Sequence, residues 1–494
     1  MDCRIPAASL FCLDTAVWLL DFNLEQFLCS RADLCDDLSL LSSPPSQRVS
    51  VCKLAHLLFQ LKPILVSLLE EKRMLDAFRW LQIPSASVLA RMERWGMAFS
   101  VSDAKRLRDY LRVRLQKLEQ QGVRLAGRPF SFGSPSDVAK VLYQDLGLQA
   151  PNGCSGRRHY STNKEVLEKL ADQHQLPALV NKWRTVQYAL KELNGLMEKV
   201  DDDGRVCGRF DPFSATGRTL MHDPNLQTIP KSFEVDRRQS VSLRSLFVAR
   251  DDYMLVSADY SQLELRVLAH FSCDRRLLEI LNSPSGDVFK LIASCWQNIP
   301  AETVSEAVRQ RAKQICYGII YGMGAKSLAV KLSVSEEEAE AFMMSFMTHF
   351  PGVRVWKHDT VVRCRQQRYV TTLAGRRRAL SNISAVSAQE RAAAERQAVN
   401  TVIQGSAADL FMSAMASVHS SLDCRFEEKD CRLVMQLHDE LMAEVREQYV
   451  QSVARIIKHK MESCWQDRQQ LNVRLKVKVS SGRSWGELTE LLSD

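Results

Sequence analysis

The 14 cysteines include no C-x2-C pair, which excludes a zinc ribbon or finger. No uncharged run approaches the roughly 18 residues of a membrane span, so no membrane partner is expected. The N-terminal apolar stretch is broken by Asp14 and has no basic leader, a poor match to a signal peptide. Gly and Pro, at 20 and 15 of 494 residues, are not enriched, which excludes a fibrous or low-complexity chain. Walker A spacing is missing too. Gly322-Met323-Gly324-Ala325-Lys326-Ser327 has no glycine directly before its lysine, and this excludes an ATPase motor. There is no internal repeat.

What is present is a globular composition, 46% apolar with a net charge of +8. The length suggests two to four modules at about 100–200 residues each. The mild basic excess favours anionic partners, although many soluble enzymes share it. Cysteines such as Cys273, Cys295 and Cys316 lie in apolar stretches and read as free buried thiols of a reducing compartment. A Ser/Pro-rich break at Ser42–Ser46 precedes helical patterning over Val51–Leu69, Met74–Leu118 and Asn163–Val200, the last opened by Ser161-Thr162. Asp201-Asp202-Asp203-Gly204 reads as a boundary turn. Strand-like segments follow, then a helix-rich region from about Asp274 to Ser421, in which Ser335–Glu338 forms a capping box. Val473–Val479 alternates apolar and basic residues, as a strand with one buried face does.

Two apolar strands end in acids. Tyr253–Tyr260 carries Asp259, with Gln262, Glu264 and the start of a helix directly after it. Leu433–Leu437 runs into His438-Asp439-Glu440 and resumes as Leu441–Val445. A capped strand end, or a turn acid with a local hydrogen bond, accounts for either segment taken alone. If the strands lie side by side, the acids suit phosphoryl or nucleotidyl transfer, where carboxylates bridge two ions roughly 3.5–4 Å apart. Such hard oxygen ligands suit Mg²⁺.

Between these strands, Arg309, Lys313 and Tyr317 recur at four-residue steps and Tyr321 follows. On a helix they share one side. Cations followed by rings suit a nucleotide, and an amphipathic helix with a solvated basic edge gives the same pattern. Arg396, Asn400 and Gln404 repeat the spacing through an apolar helix, Ala393–Ala408. They form either a solvent face or hydrogen-bonding groups for a minor groove. Thr216-Gly217-Arg218 and Asp223–Gln227 are turn-rich, with one exposed cation. Gly375-Arg376-Arg377-Arg378 is a basic patch suited to backbone phosphates.

In this order, T-G-R and P-N-L-Q, D-Y-S-Q-L-E-L-R, R-x3-K-x7-Y-G and Q-x-H-D-E resemble the motifs of the A family of DNA polymerases. The ending Gly482-Arg483-Ser484-Trp485-Gly486 is similar to its eukaryotic repair members. The resemblance runs from about Asn181 to the C-terminus, and more weakly back to about Lys53. It implies an α+β right-hand fold, in which an antiparallel palm sheet carries helical thumb and fingers. The expected division is an exonuclease-like remnant at 1–75, thumb at 76–200, palm at 201–272, fingers at 273–395 and palm again at 396–494.

By the same resemblance, Asp259, Asp439 and the Tyr260 carbonyl would hold two Mg²⁺ ions, with Mn²⁺ as a substitute. Lys313 would hold the triphosphate and protonate the leaving pyrophosphate, and Arg309 would bind the outer phosphates. Tyr317 and Gln262 would meet the incoming dNTP, Tyr321 would order the templating position, and Glu264 would crowd a ribose 2′-hydroxyl. Arg218, Gln404 and His438 would touch the primer, Arg396 and Asn400 would lie near the template, and Asn225 and Gln227 would lie along the duplex. The partners implied are primer–template DNA and dNTPs.

The first hundred residues contain no D-x-E, so no 3′–5′ exonuclease is expected. Arg218 to Asp259 and Gln404 to His438 are short, with no room for the loop insertions of some repair members. A role in DNA repair (double-strand break repair or lesion bypass) is expected, in the nucleus or alternatively the mitochondrion. Two rivals are a single-subunit RNA polymerase, opposed by Glu264 and the H-D-E triplet, and a catalytically weak DNA-binding protein derived from a polymerase.

Overall fold

The computed structural model describes residues 15, 16, 19, 51–150, 160–236, 239–284 and 286–492. Most of the expected remnant at 1–75 therefore lies outside the described residues; its end is a helix, Val51–Glu71. The centre of the molecule is a five-stranded antiparallel sheet. In chain order its strands are β1 (Tyr253–Tyr260), β2 (Cys431–Leu437), β3 (Glu440–Arg446), β4 (Val477–Gly482) and β5 (Thr489–Leu492), and in space they run β2-β3-β1-β4-β5. The middle of β1, Leu255–Ala258, is buried throughout, because the helix Val450–Glu462 packs on the sheet. Burial of this kind explains an apolar run without alternation.

Helices bracket this sheet. We label them α1 (Val101–Ala126), α2 (Gln175–Glu198), α3 (Leu263–Ser272), α4 (Val288–Gln297), α5 (Glu306–Ile320), α6 (Glu336–His349), α7 (Pro351–Gln367), α8 (Ala388–Asp423) and α9 (Val450–Glu462). Helices α1 and α2 pack as a long pair on one side. Ser100 caps α1, and Gly127 ends it in the left-handed region at φ 73°, the usual role of a glycine there. Ser335 and Glu338 form the expected capping box of α6. Helix α8 is buried continuously from Thr401 to Met412, as a helix that is apolar nearly all round must be. It also runs through the expected boundary at 395/396.

Several sequence expectations need correction. Asn163, not Ser161-Thr162, caps the helix that follows, by accepting from the Val166 N–H. That helix stops at Leu170 and α2 begins separately at Gln175. The Met74–Leu118 patterning breaks at Gly96, where Met97–Ala98 pairs with Arg205–Val206. Val473 and Leu475 are buried as the alternation suggested, but β4 starts only at Val477. Before it the backbone is committed elsewhere: the Arg474 N–H donates to Asn282 and the Lys476 carbonyl accepts from Ser261. Cys273 is exposed rather than buried. Among the described residues, no helix is long and apolar enough to cross a membrane.

Candidate active site

Strand register brings the acids together. Asp259, next to last in β1, faces Glu440 on β3 and Lys478 on β4. Residues directly opposite share a face, so Glu440, Asp259 and Lys478 form one row across the sheet. Asp439 sits beside this row in the two-residue turn between β2 and β3, where His438 adopts φ 53°. The Tyr260 N–H donates to the Asp439 carbonyl at 3.2 Å and ties that turn to the end of β1. The Tyr260 ring is buried, its hydroxyl donating to the Met461 carbonyl at 2.6 Å.

Above the row lies a cleft of about 480 Å³. Asp259, Asp439, Gln262, Glu264, Arg309 and Lys313 line it, with Tyr260, Tyr317 and His438. Glu440 of the His438-Asp439-Glu440 triplet also lines it, with four side chains that the sequence reading did not place: Lys231, Arg244, Phe289 and Lys478. The sequence carried a trace of Lys478, in the apolar–basic alternation before Val479. Lys231 and Phe289 had no local signal, because only tertiary packing brings them here.

The acids are electrostatically crowded. Asp259 opens onto the cleft, but protein packs around its base. That desolvation, with the charges of Glu440 and Asp439, lifts its carboxyl to about 7. Burial also raises Asp439, against the pull of Arg218. Glu440 accepts a hydrogen bond from the Ser257 hydroxyl. Neighbouring carboxylates that repel one another in a partly dry cleft form the donor set that a hard divalent cation satisfies. Among the described residues, no group of three or more His, Cys, Asp or Glu side chains is arranged to hold a metal. Two carboxylates therefore fit an ion only if backbone oxygen, water or substrate phosphate completes its shell.

Glu264 stands at the side of the cleft on the first turn of α3. It is 5% exposed, pairs with Arg218 and accepts from the Tyr321 hydroxyl at 3.2 Å. Its pKa is raised by burial and by Asp439, with Arg218 opposing. Arg218 is thus not the exposed cation the sequence suggested. Burial, Arg218 and Arg244 together hold His438 below its ordinary value.

Helix α5, capped by Ser305, supplies the opposite wall. Tyr317 and Tyr321 stack at 6.0 Å, and Phe289 from α4 lies 6.1 Å from Tyr317. Lys313 sits 5.8 Å over the Phe289 ring. Arg309 is held by Asp287, at 2.9 Å, and by Glu306, at 3.0 Å.

The remaining expected contacts lie outside the cleft. Asn225 accepts from the Gln227 N–H, and the Gln227 side chain donates to the Thr219 carbonyl. Arg396 is exposed and packs closely on Gly322, where a β-carbon would lie 3.0 Å from the Arg396 side chain. Asn400 is half-buried and Gln404 buried, so the stripe descends from solvent into the fold. The basic patch needs correction: Arg376 is 4% exposed and paired with buried Asp409 at 2.6 Å. Arg376 thus belongs to an interior ion pair and is closed to backbone phosphates, whereas Arg377 and Arg378 are half-buried.

Residues 101–487 match the family model described as DNA polymerase family A. The chain is 34% identical to DNA polymerase theta of Mus musculus over 88% of its length and 21% of that protein's. It is 35% identical to the thermostable DNA polymerase I of Thermus aquaticus over 84% of its length and 49% of that protein's. The chain thus spans half or less of these relatives. Among solved structures, the POL domain of Pol1 from M. smegmatis, in complex with DNA primer-template and dNTP, superposes with a TM-score of 0.82. The match is at 30% identity and covers 95% of this chain and 81% of that one.

Proposed function

The chain belongs to DNA polymerase family A, and from that premise we propose that it adds dNTPs to a primer 3′ end under the direction of a template strand. One observation carries the reading: a single cleft gathers two strand-end acids, a buried glutamate at its side, and a helix face of two cations and an aromatic ring. Asp259 and Asp439, with the Tyr260 carbonyl, would hold Mg²⁺, for which Mn²⁺ would substitute. Bound there, such ions would supply charge neutralisation at the reacting phosphate.

The protein's own groups do the rest. Lys313 and Arg309 bind the triphosphate, and Lys313 protonates the departing pyrophosphate. Tyr317 and Phe289 pack on the incoming base and sugar, with Gln262 alongside. Tyr321 orders the templating position. Glu264, fixed by Arg218 and Tyr321, fills the space of a ribose 2′-hydroxyl. Arg218, Gln404 and His438 grip the primer, Arg396 and Asn400 lie near the template, and Asn225 and Gln227 lie along the duplex. Lys231 and Lys478, on the sheet side, suit the primer's backbone charge.

We assign 76–200 to the thumb, 201–272 and 396–494 to the palm, 273–395 to the fingers and 1–75 to an exonuclease-like remnant. Without a D-x-E in the first hundred residues, this stretch carries no 3′–5′ proofreading. Similarity to theta supports a role in DNA repair, in the nucleus or alternatively the mitochondrion.

Primer extension on a defined template with Mg²⁺ tests the reading. Asp439→Ala is expected to cut extension by at least about 10³-fold, with DNA affinity by gel shift largely intact. Tight primer–template binding by the wild type without any incorporation would establish the rival, a DNA-binding protein derived from a polymerase.

A further inference from the structure

Arg376 sits at the tip of a short hairpin, Tyr369–Thr371 with Arg377–Ala379, that lies against α8. Its Nε donates to Asp409 Oδ1 at 2.6 Å, and Asp409 is fully buried. The other Asp409 oxygen accepts from the Ala374 N–H at 2.9 Å, and the Ser406 hydroxyl oxygen accepts from the Leu373 N–H at 2.8 Å. The hairpin tip is thereby fixed to α8.

The same guanidinium also holds the segment that precedes Arg218. Its Nη2 donates to the Gly405 carbonyl at 2.9 Å and to the Thr216 carbonyl at 3.3 Å. Gly217, at φ 78°, lies so close to Arg376 that a β-carbon there would collide with the guanidinium. The turn is closed by the Gly217 N–H donating to the Ser214 carbonyl at 2.8 Å, and by the Ser214 hydroxyl donating to the Arg218 carbonyl at 2.7 Å. The next side chain, Arg218, is the one that holds Glu264.

Contacts therefore run without a break from a buried ion pair, through a glycine turn, to the glutamate at the side of the cleft. A buried pair gives little net stability over apolar packing. What a planar, always-charged fork does provide is fixed direction.

We propose that Asp409 and Arg376 form a positioning pair. By seating the Thr216–Gly217 turn, they set where Arg218 meets Glu264, and so how strictly the cleft rejects a ribonucleotide. The inference rests on the reading of Glu264 as the sugar gate. Neither Asp409 nor Arg376 touches substrate; both act through Arg218.

The test uses the full chain in steady-state primer extension with dNTP and rNTP in parallel. Asp409→Asn removes the charge at nearly constant shape. Gly217→Ala keeps both charges of the pair but forces the turn and the guanidinium apart, so it serves if Asp409→Asn does not fold. In each folded variant, judged by circular dichroism and DNA binding, the preference for dNTP over rNTP is expected to fall by about tenfold. A merely structural defect would lower both rates together and leave the ratio unchanged. Arg218→Ala is expected to lower the ratio by itself, and adding Asp409→Asn or Gly217→Ala to it should lower the ratio no further. Folded variants with a wild-type ratio, or losses that add to that of Arg218→Ala, overturn the proposal and leave the polymerase reading standing. A wild-type chain that extends no primer overturns both.

Discussion

Asp259 carries a consequence that can be measured without substrate. Its carboxyl, ordinarily near 3.8, is lifted to about 7 by desolvation and by Glu440 and Asp439. The folded state thus holds a proton that the unfolded chain releases. By linkage, its favourable contribution is complete below about pH 4 and is lost as pH rises through 7. In metal-free protein, Asp259→Asn removes that loss. The variant is expected to melt above wild type at pH 8 in chelator, with the gap closing toward pH 4. Thermal unfolding at the two pH values checks this, and a gap of the same size at both excludes the shift. Mg²⁺ added at pH 8 should raise the wild-type melting point and not that of Asp259→Asn, because the ion replaces the proton between the acids. At this scale the sequence was readable: an acid at the end of an apolar strand stands out locally, as Asp259 and Asp439 both do. The cause of its altered acidity was not, because Glu440 and Asp439 meet Asp259 only through strand register.

Helix α5 shows how far a single element can be read, and where that stops. The four-residue spacing of Arg309, Lys313 and Tyr317 placed them on one face, and the structure puts all three on the cleft. Nothing in the helix's own pattern signalled that Arg309 would already be occupied by Asp287 from the start of α4. Asp287 also caps α4 through its other oxygen, which accepts from the Lys290 N–H, so its place follows from local capping and its partner from tertiary packing. A triphosphate bound at Arg309, as proposed, would compete with this carboxylate. Partly exposed pairs are worth about 0.2–1 kcal/mol, which limits the competition to about 1.4- to fivefold in affinity. Asp287→Asn keeps the cap's acceptor and removes the charge. It is expected to lower the dNTP KM by about 1.4- to fivefold with kcat little changed. A raised KM would mean that Asp287 orients Arg309 for substrate instead of competing with it.

Across the whole molecule, the least legible features are ion pairs between residues remote in sequence, since charge in an apolar strand has no visible partner along the chain. Arg432 on β2 and Glu444 on β3 interrupt apolar runs, and the structure explains both at once. Glu444, with its side chain 1% exposed, pairs with Arg432 on the neighbouring strand and with Arg205 at 3.2 Å. Arg205 belongs to the short strand at the foot of α1 and α2, and also donates to the carbonyls of Trp95 and Gly96. The triad is thus the polar tie between the long helix pair and the central sheet. Burial alone would raise the Glu444 pKa, but Arg205 and Arg432 outweigh it and hold it below its ordinary value. Glu444 therefore stabilises the fold at neutral pH and loses that effect on acidification. Glu444→Gln leaves two buried guanidinium groups without their counter-charge. It is expected to lower the free energy of unfolding by about 3–5 kcal/mol, measured by urea titration at pH 7, with the deficit narrowing as pH falls. Replacing Arg205, Arg432 and Glu444 together with apolar residues of similar volume should recover most of the loss, because the cost lies in breaking the triad and not in lacking it. A Glu444→Gln variant within about 1 kcal/mol of wild type would mean that water reaches the triad and that apolar packing alone joins the helix pair to the sheet.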